Sequence, residues 1–210
     1  MANGALVGHF YGPGSPLNWG KDLEALTKGK GFQVEAKEVT RLAFDFAAHL
    51  HATSWMPGED LTTVSWLRGA DWVRGQGRED WEERQSRAAS MWNDCKTNGK
   101  NDSITMDPLV RDLVEASINK ALPESNGWET FQSELKSTPM CLVHGDFHPG
   151  NMLLCPENRL VVVDWEMVAI ASGPQELGQY VISHATPAFR EEVERELVQG
   201  YYDTLCKLNQ

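Results

Sequence analysis

From Glu35 onward, apolar residues recur with the period of an α-helix: Val39, Leu42, Phe46 and Leu50 step by three or four and define one apolar stripe. Pro57-Gly58 breaks the pattern, and its return predicts helices over 61–74 and 79–97. The second is densely charged from Arg78 to Arg84, the signature of a solvated face. Asn101 to Ser103 is a polar connector. Asp107-Pro108 then has the form of an N-cap followed by proline in the first turn, opening a helix through Val110, Leu113 and Ile118 that stops before Pro123. A short helix over 128–136 follows. There the period changes. Met140–Val143, Met152–Cys155 and Leu160–Val163 are short, partly β-branched apolar runs and read as strands. Pro156-Glu157-Asn158-Arg159 supplies a hairpin-type turn between the last two. Helix returns after Gly173-Pro174, and a final one begins at Thr186-Pro187. In it Phe189, Val193, Leu197, Tyr201 and Leu205 step by four onto one buried face. Residues 1–34, rich in Gly, Pro and Asn, read as loop with one short helix near Leu23–Leu26. The pattern predicts a mainly α chain with one small β-hairpin (α+β). It has a loop-rich segment over 1–34 and a single domain over 35–210, with no internal repeat.

Composition narrows the partners. A chain of 210 residues fits one domain and can bury a sizeable core. The net charge of −11 argues against nucleic acid and anionic membrane surfaces, and an acidic surface suits a cationic small molecule. No apolar run approaches the roughly 20 residues that span a bilayer, and the first residues lack the tripartite pattern of a signal peptide. The four cysteines are scattered without a C-x-x-C pair, so the expectation is a reducing, cytoplasmic setting.

The chemistry concentrates in His144-Gly145-Asp146-Phe147-His148-Pro149-Gly150-Asn151, with Asp164-Trp165-Glu166 beginning thirteen residues after Asn151. Strands on either side bring the ends of the loop together, and Asp164 falls where the hairpin's second strand runs out. Phosphoryl transfer needs Mg²⁺ on the phosphates and a group that orients the attacking hydroxyl and accepts its proton. Mg²⁺ takes oxygen ligands, usually only one or two of them carboxylates. Asn151 and Asp164 meet that demand, leaving Asp146 as base or orienter. A lone Asp and Asn around Pro-Gly is ordinary turn chemistry; the flanking His-Gly and the strand-end Asp favour the catalytic reading.

The octapeptide together with Val163-Asp164-Trp165-Glu166 resembles the aminoglycoside phosphotransferase and choline kinase-like family, whose pattern is H-G-D-x-x-x-x-N followed by a strand ending in D-W or D-F. Phe46-Ala47-Ala48-His49-Leu50-His51, with Trp55 after it, resembles the first helix of that family's C-terminal lobe. The resemblance covers roughly 35–205. It implies the C-terminal lobe of a protein kinase-like fold. Asp146 would be the catalytic base, Asn151 and Asp164 the ligands of Mg²⁺ beside ATP, and His144 and His148 the supports of the loop. The acceptor would be a small-molecule hydroxyl. Members also carry an N-terminal lobe with a glycine-rich loop and a strand lysine. Here Gly12-Pro13-Gly14 is followed by Leu17 rather than a third glycine, and Lys21, Lys28, Lys30 and Lys37 stand outside any V-A-I-K context. The expectation is therefore a C-terminal lobe with the N-terminal lobe absent. The alternative function is a non-catalytic lobe, a pseudokinase-like module, with a protein partner covering the exposed cleft. An open reading frame upstream of Met1 encoding a glycine-rich loop would favour the enzyme.

Other residues invite sharper and blander readings. His144 and His148 could ligate a metal, but an oxygen-only set suits Mg²⁺ and leaves them as loop supports. His49 and His51, two apart on a helix, cannot share a face and read as surface or packing residues. Five of the eight tryptophans lie between Trp55 and Trp92. They suggest either a cation–π cage or, more ordinarily, helix packing. Glu79, Asp80, Glu82 and Glu83 form either a solvated face or a cation-binding edge.

Overall fold

A computed structural model describes residues 5–6, 36–56, 59–98, 107–155 and 158–210. The Gly12–Gly14 turn, the Leu23–Leu26 helix, Lys21, Lys28, Lys30 and the Asn101–Ser103 connector lie outside the described residues. The chain divides into two compact units, Met1–Arg68 with Pro139–Gln210, and Gly69–Thr138.

In the first unit, β1 (Ala5–Leu6) precedes α1 (Ala36–Ala52) and the short α2 (Glu59–Thr62). After the second unit come β2 (Cys141–Val143), β3 (Met152–Cys155), β4 (Arg159–Val162), β5 (Ala169–Ala171), α7 (Gly173–His184) and α8 (Pro187–Leu208). Helix α1 packs against α8. The buried face of α1 is Val39, Thr40, Ala43, Phe44, Ala47, Ala48 and His51. The expected stripe is thus rotated: Leu42, Phe46 and Leu50 are only half-buried, and small alanines take the deepest line. On α8 the expected step of four holds, with Val193, Leu197, Tyr201 and Leu205 buried. Thr186 caps this helix by accepting from Phe189 N at 3.2 Å. The core also takes Phe147, Met152, Leu154, Leu177 and Tyr180, each such large side chain contributing about 1.5–3 kcal/mol on burial.

The β structure differs from the single hairpin expected. The hairpin β3–β4 exists, with Met152 opposite Val162 and Cys155 opposite Arg159. Its start is Arg159 rather than Leu160, and Asn158 beside it takes the left-handed conformation. Strand β1 pairs antiparallel with β3, so Ala5–Leu6 is strand where the sequence reads as loop. Strand β2 belongs to a second antiparallel pair, with β5. β5 was not legible because Ala169-Ile170-Ala171 is too short and too small-residue-rich to show a period.

The second unit holds α3 (Ala70–Val73), α4 (Arg78–Asn98), α5 (Pro108–Ala121) and α6 (Gly127–Ser137). The single helix expected over 61–74 is instead α2 and α3, separated where Gly69 adopts a φ of 79°. Asp107 caps α5 as expected, accepting from Leu109 N and Val110 N. Of the tryptophans, Trp72, Trp81 and Trp128 pack around Phe131, whereas Trp66 is exposed. Trp81 stacks on Phe131 at 5.1 Å and meets Trp128 edge-on at 5.7 Å, and both Trp81 and Trp128 are buried. Within the acidic run, Asp80 pairs with Arg84 and Glu82 with Arg78, each at 2.8 Å. Among the described residues no helix is long and apolar enough to cross a membrane.

Candidate active site

The polar loop runs from the end of β2 to the start of β3. Leaving β2, Gly145 takes a φ of 83°, and a Cβ there would lie 1.9 Å from the Met167 carbonyl oxygen. Both facts require glycine. Gly145→Ala is therefore expected to displace the loop or the Met167 backbone, at a cost of at least 2 kcal/mol, on the order of combined backbone strain and steric overlap. Thermal unfolding of the variant checks this. The loop then closes through a 3₁₀ turn at Pro149–Asn151. His148 Nδ1 accepts from Gly150 N at 3.0 Å, and Val163 N donates to the Asn151 carbonyl at 2.9 Å. That last bond ties the loop to the residue before Asp164.

Asp146 is the centre of the cluster. Its Oδ2 accepts from Asn151 Nδ2 at 3.1 Å and lies 3.2 Å from His148 Nε2. Its Oδ1 accepts from Gln179 Nε2 at 3.3 Å. Asn151 Nδ2 also donates to the Asp146 carbonyl oxygen at 3.0 Å. Both amide N–H groups of Asn151 are thus spent on Asp146. The acceptors fix its orientation and leave Asn151 Oδ1 as an uncommitted oxygen. Asn151 is buried while the Asp146 side chain is 39% exposed, so the carboxylate is held from below and open above.

His144 is fully buried. Its Nε2 lies 2.9 Å from the Val163 carbonyl and its Nδ1 accepts from Asp146 N at 3.3 Å. One neighbour only accepts and the other only donates, which selects the neutral Nε2–H tautomer. The ring packs edge-on against Trp165 at 4.7 Å. Trp165 Nε1 in turn donates to the Val162 carbonyl at 3.1 Å. Between them Asp164 is exposed, with a φ of 66° and ψ of 63°. This is the left-handed conformation that Asp tolerates better than most side chains. It turns the chain out of β4.

Beneath the loop lies a buried polar chain. Gly145 N donates to Glu176 Oε1 at 2.8 Å. Glu176 Oε2 is 2.9 Å from His51 Nε2, and His51 Nδ1 is 2.9 Å from the Tyr201 hydroxyl. The proton assignment closes with a neutral imidazole: Tyr201 donates to Nδ1 and Nε2–H donates to Glu176. Hydroxyl, imidazole and carboxylate in a row have the form of a nucleophilic triad. This one is not such a site, because Tyr201 is buried and burial, with Cys141 and Glu176 nearby, pushes its hydroxyl pKa up. The group is a scaffold. Gly173 makes room for it, since a Cβ there would lie 2.6 Å from His51 Nδ1 and 2.8 Å from the Tyr201 hydroxyl.

Cys141 borders this chain. Burial, reinforced by the Glu176 carboxylate, pushes its thiol up to about 12 from 9.0. The folded thiol keeps its proton where the unfolded one loses it. Its contribution to stability is therefore complete below pH 9 and fades as the pH rises toward 12, at about 1.4 kcal/mol per pH unit. Urea midpoints measured between pH 8 and 11 are expected to fall steeply in the native chain and less steeply in Cys141→Ala.

The structure thus brings Asp146, His148 and Asn151 into direct contact. His144 supports them from the core, and Asp164 joins through the Asn151–Val163 backbone bond without a side-chain contact to the others. Of the two histidines read as surface or packing residues, His49 is exposed and His51 packs in the core, wholly buried and hydrogen-bonded at both ring nitrogens. Lys37 bonds Glu196 at 2.6 Å on α8. Glu176 and Gln179 were missed. A signal existed for two of the buried polar residues. His51 continues the step of four through Ala43 and Ala47, and Glu176 falls on the same face as Leu177, Tyr180 and Val181. A polar residue on an apolar stripe needs a partner.

The loop thus presents a carboxylate pinned between strands, with the strand-end Asp164 on the hairpin that follows. In comparison with known proteins, residues 14–206 fit the model of the phosphotransferase enzyme family, and the chain belongs to that family. No curated protein matches the chain.

Proposed function

We propose that this chain is an ATP- and Mg²⁺-dependent phosphotransferase acting on the hydroxyl of a small molecule, and that its first unit is the C-terminal lobe of a kinase-like fold. The observation that carries this is the pair of hydrogen bonds that Asn151 Nδ2 donates to the carbonyl oxygen and Oδ2 of Asp146. It fixes the carboxylate and at the same time frees the Asn151 amide oxygen.

The donor set fits Mg²⁺. Among the described residues Asn151 Oδ1 is uncommitted, the exposed Asp164 has no side-chain hydrogen bond, and no three His, Cys, Asp or Glu side chains gather as a softer metal site. Asn151 and Asp164 would hold the ion, one amide and one carboxylate oxygen with water and phosphate oxygens completing the shell. An ion held there would supply positive charge against the nucleotide phosphates. Asp146 orients the acceptor hydroxyl. As the acceptor oxygen bonds to the γ-phosphorus and the bond from that phosphorus to its bridging oxygen breaks, the hydroxyl proton passes to Asp146 and the nucleoside diphosphate leaves. His144 and His148 hold the loop and take no part in the transfer. Asp146, Asp164 and Glu166 make the surroundings acidic, which supports an acceptor carrying positive charge.

Calorimetric titration of the full chain with Mg·ATP, followed by phosphate-transfer assays against choline, ethanolamine and kanamycin, tests this reading. Saturable binding and turnover with at least one acceptor are expected. Absence of both would overturn it.

A further inference from the structure

The site described so far leaves one polar contact without a role, the bond from Gln179 to Asp146. We propose that Gln179 is a positioning residue that selects Asp146 Oδ1 as the oxygen facing the acceptor hydroxyl and holds it in place; this rests on the phosphotransferase reading.

Each carboxylate oxygen accepts two hydrogen bonds comfortably. Oδ2 of Asp146 has both positions taken, by Asn151 Nδ2 at 3.1 Å and His148 Nε2 at 3.2 Å. Among the described residues Oδ1 receives only Gln179 Nε2, at 3.3 Å. One lone pair remains, and it is on Oδ1. With the Asp146 side chain 39% exposed, that lone pair is the one an incoming hydroxyl can reach.

Gln179 also determines where Oδ1 points. The terminal torsion of an aspartate is broad and roughly two-fold, so contacts on Oδ2 alone would leave the carboxylate plane free to rock. A third donor on the other oxygen fixes it. That donor comes from α7, which carries Glu176 one turn earlier, and Glu176 holds the loop backbone through Gly145 N at 2.8 Å. One helix therefore registers both the backbone and the side chain of the loop. Its own register is set by Leu177, Tyr180 and Val181, all buried in the core. Gln179 itself is only half-buried, so its replacement leaves the core intact.

The test compares Gln179→Met with Gln179→Glu in the full chain. Methionine keeps the length and loses the donor. Glutamate keeps the shape and places an acceptor-only group against Oδ1. Turnover of Mg·ATP is measured with water, choline and kanamycin as acceptors, together with the thermal midpoint. Both variants are expected to keep the midpoint of the parent and its KM for ATP within twofold. Their kcat is expected to fall at least tenfold, further in Gln179→Glu. Gln179→Asn, which retains a shorter donor, is expected to recover part of the loss. If the parent turns over an acceptor and Gln179→Met matches its kcat, the role of Gln179 is overturned and the phosphotransferase reading stands. If the parent turns over nothing, the reading itself fails and this role fails with it.

Discussion

Asp146→Asn is expected to reduce phosphate transfer by roughly two to four orders of magnitude, the usual worth of a positioned general base. Asparagine has the volume of aspartate. Its carbonyl oxygen can still accept from Asn151 and His148, and a rotated Gln179 amide can meet its NH₂ group. The loop should therefore keep its geometry, and the loss should appear in kcat rather than in the KM for ATP or in the thermal midpoint. A variant that turned over within a few-fold of the parent would remove Asp146 from the mechanism. Asp164→Asn makes a useful contrast, since its loss should be reflected in the Mg²⁺ concentration needed for half-maximal rate.

The largest effect on stability is expected from Glu176→Ala. Glu176 and His51 are both buried, at 3% and 0% exposure. Removing Glu176 leaves the neutral His51 Nε2–H without an acceptor, at a cost of about 1–3 kcal/mol. It also strips Gly145 N of its acceptor. In a chain of this size that corresponds to a fall of about 10 °C in the midpoint of thermal unfolding. Glu176→Gln should be much milder. Its carbonyl can still accept from Gly145 N, its amide can donate to His51 Nε2, and the imidazole proton moves to Nδ1 to meet the Tyr201 oxygen. Calorimetry of the two variants separates the accounts: equal midpoints for Glu176→Ala and the parent would show that the buried chain does not hold the loop.

The positions that were legible in the sequence are those where local chemistry decides. Asp107-Pro108 and Thr186-Pro187 announce their helices, because a capping side chain and a proline both act within one turn. Met152–Cys155 is a strand at both levels, and the polar residues of the loop were read directly from their spacing. The rest depended on partners distant along the chain. β5 exists because β2 offers it an edge, and β1 because β3 does. The buried face of α1 is decided by what docks on it, α8 among others, and this places Ala43, Ala47 and Ala48 inside while Leu42 and Phe46 stay half-buried. Gln179 gave no signal at all. A half-buried glutamine on a helix is ordinary, and only the fold puts it beside Asp146.

The chain from Tyr201 through His51 and Glu176 to Gly145 also sets an order of assembly. The Asp146–Asn151 bonds span five residues, but the His51–Tyr201 bond spans 150 and the His51–Glu176 bond 125. Contacts so far apart form late, because they require prior closure of the intervening chain. During synthesis the loop can bend into its hairpin early, yet it gains its buried anchor only once α8 has been made and docked on α1. A chain interrupted before Tyr201 would carry every residue of the polar loop and still lack the support that aligns it, so the geometry of the loop is coupled to completion of the fold.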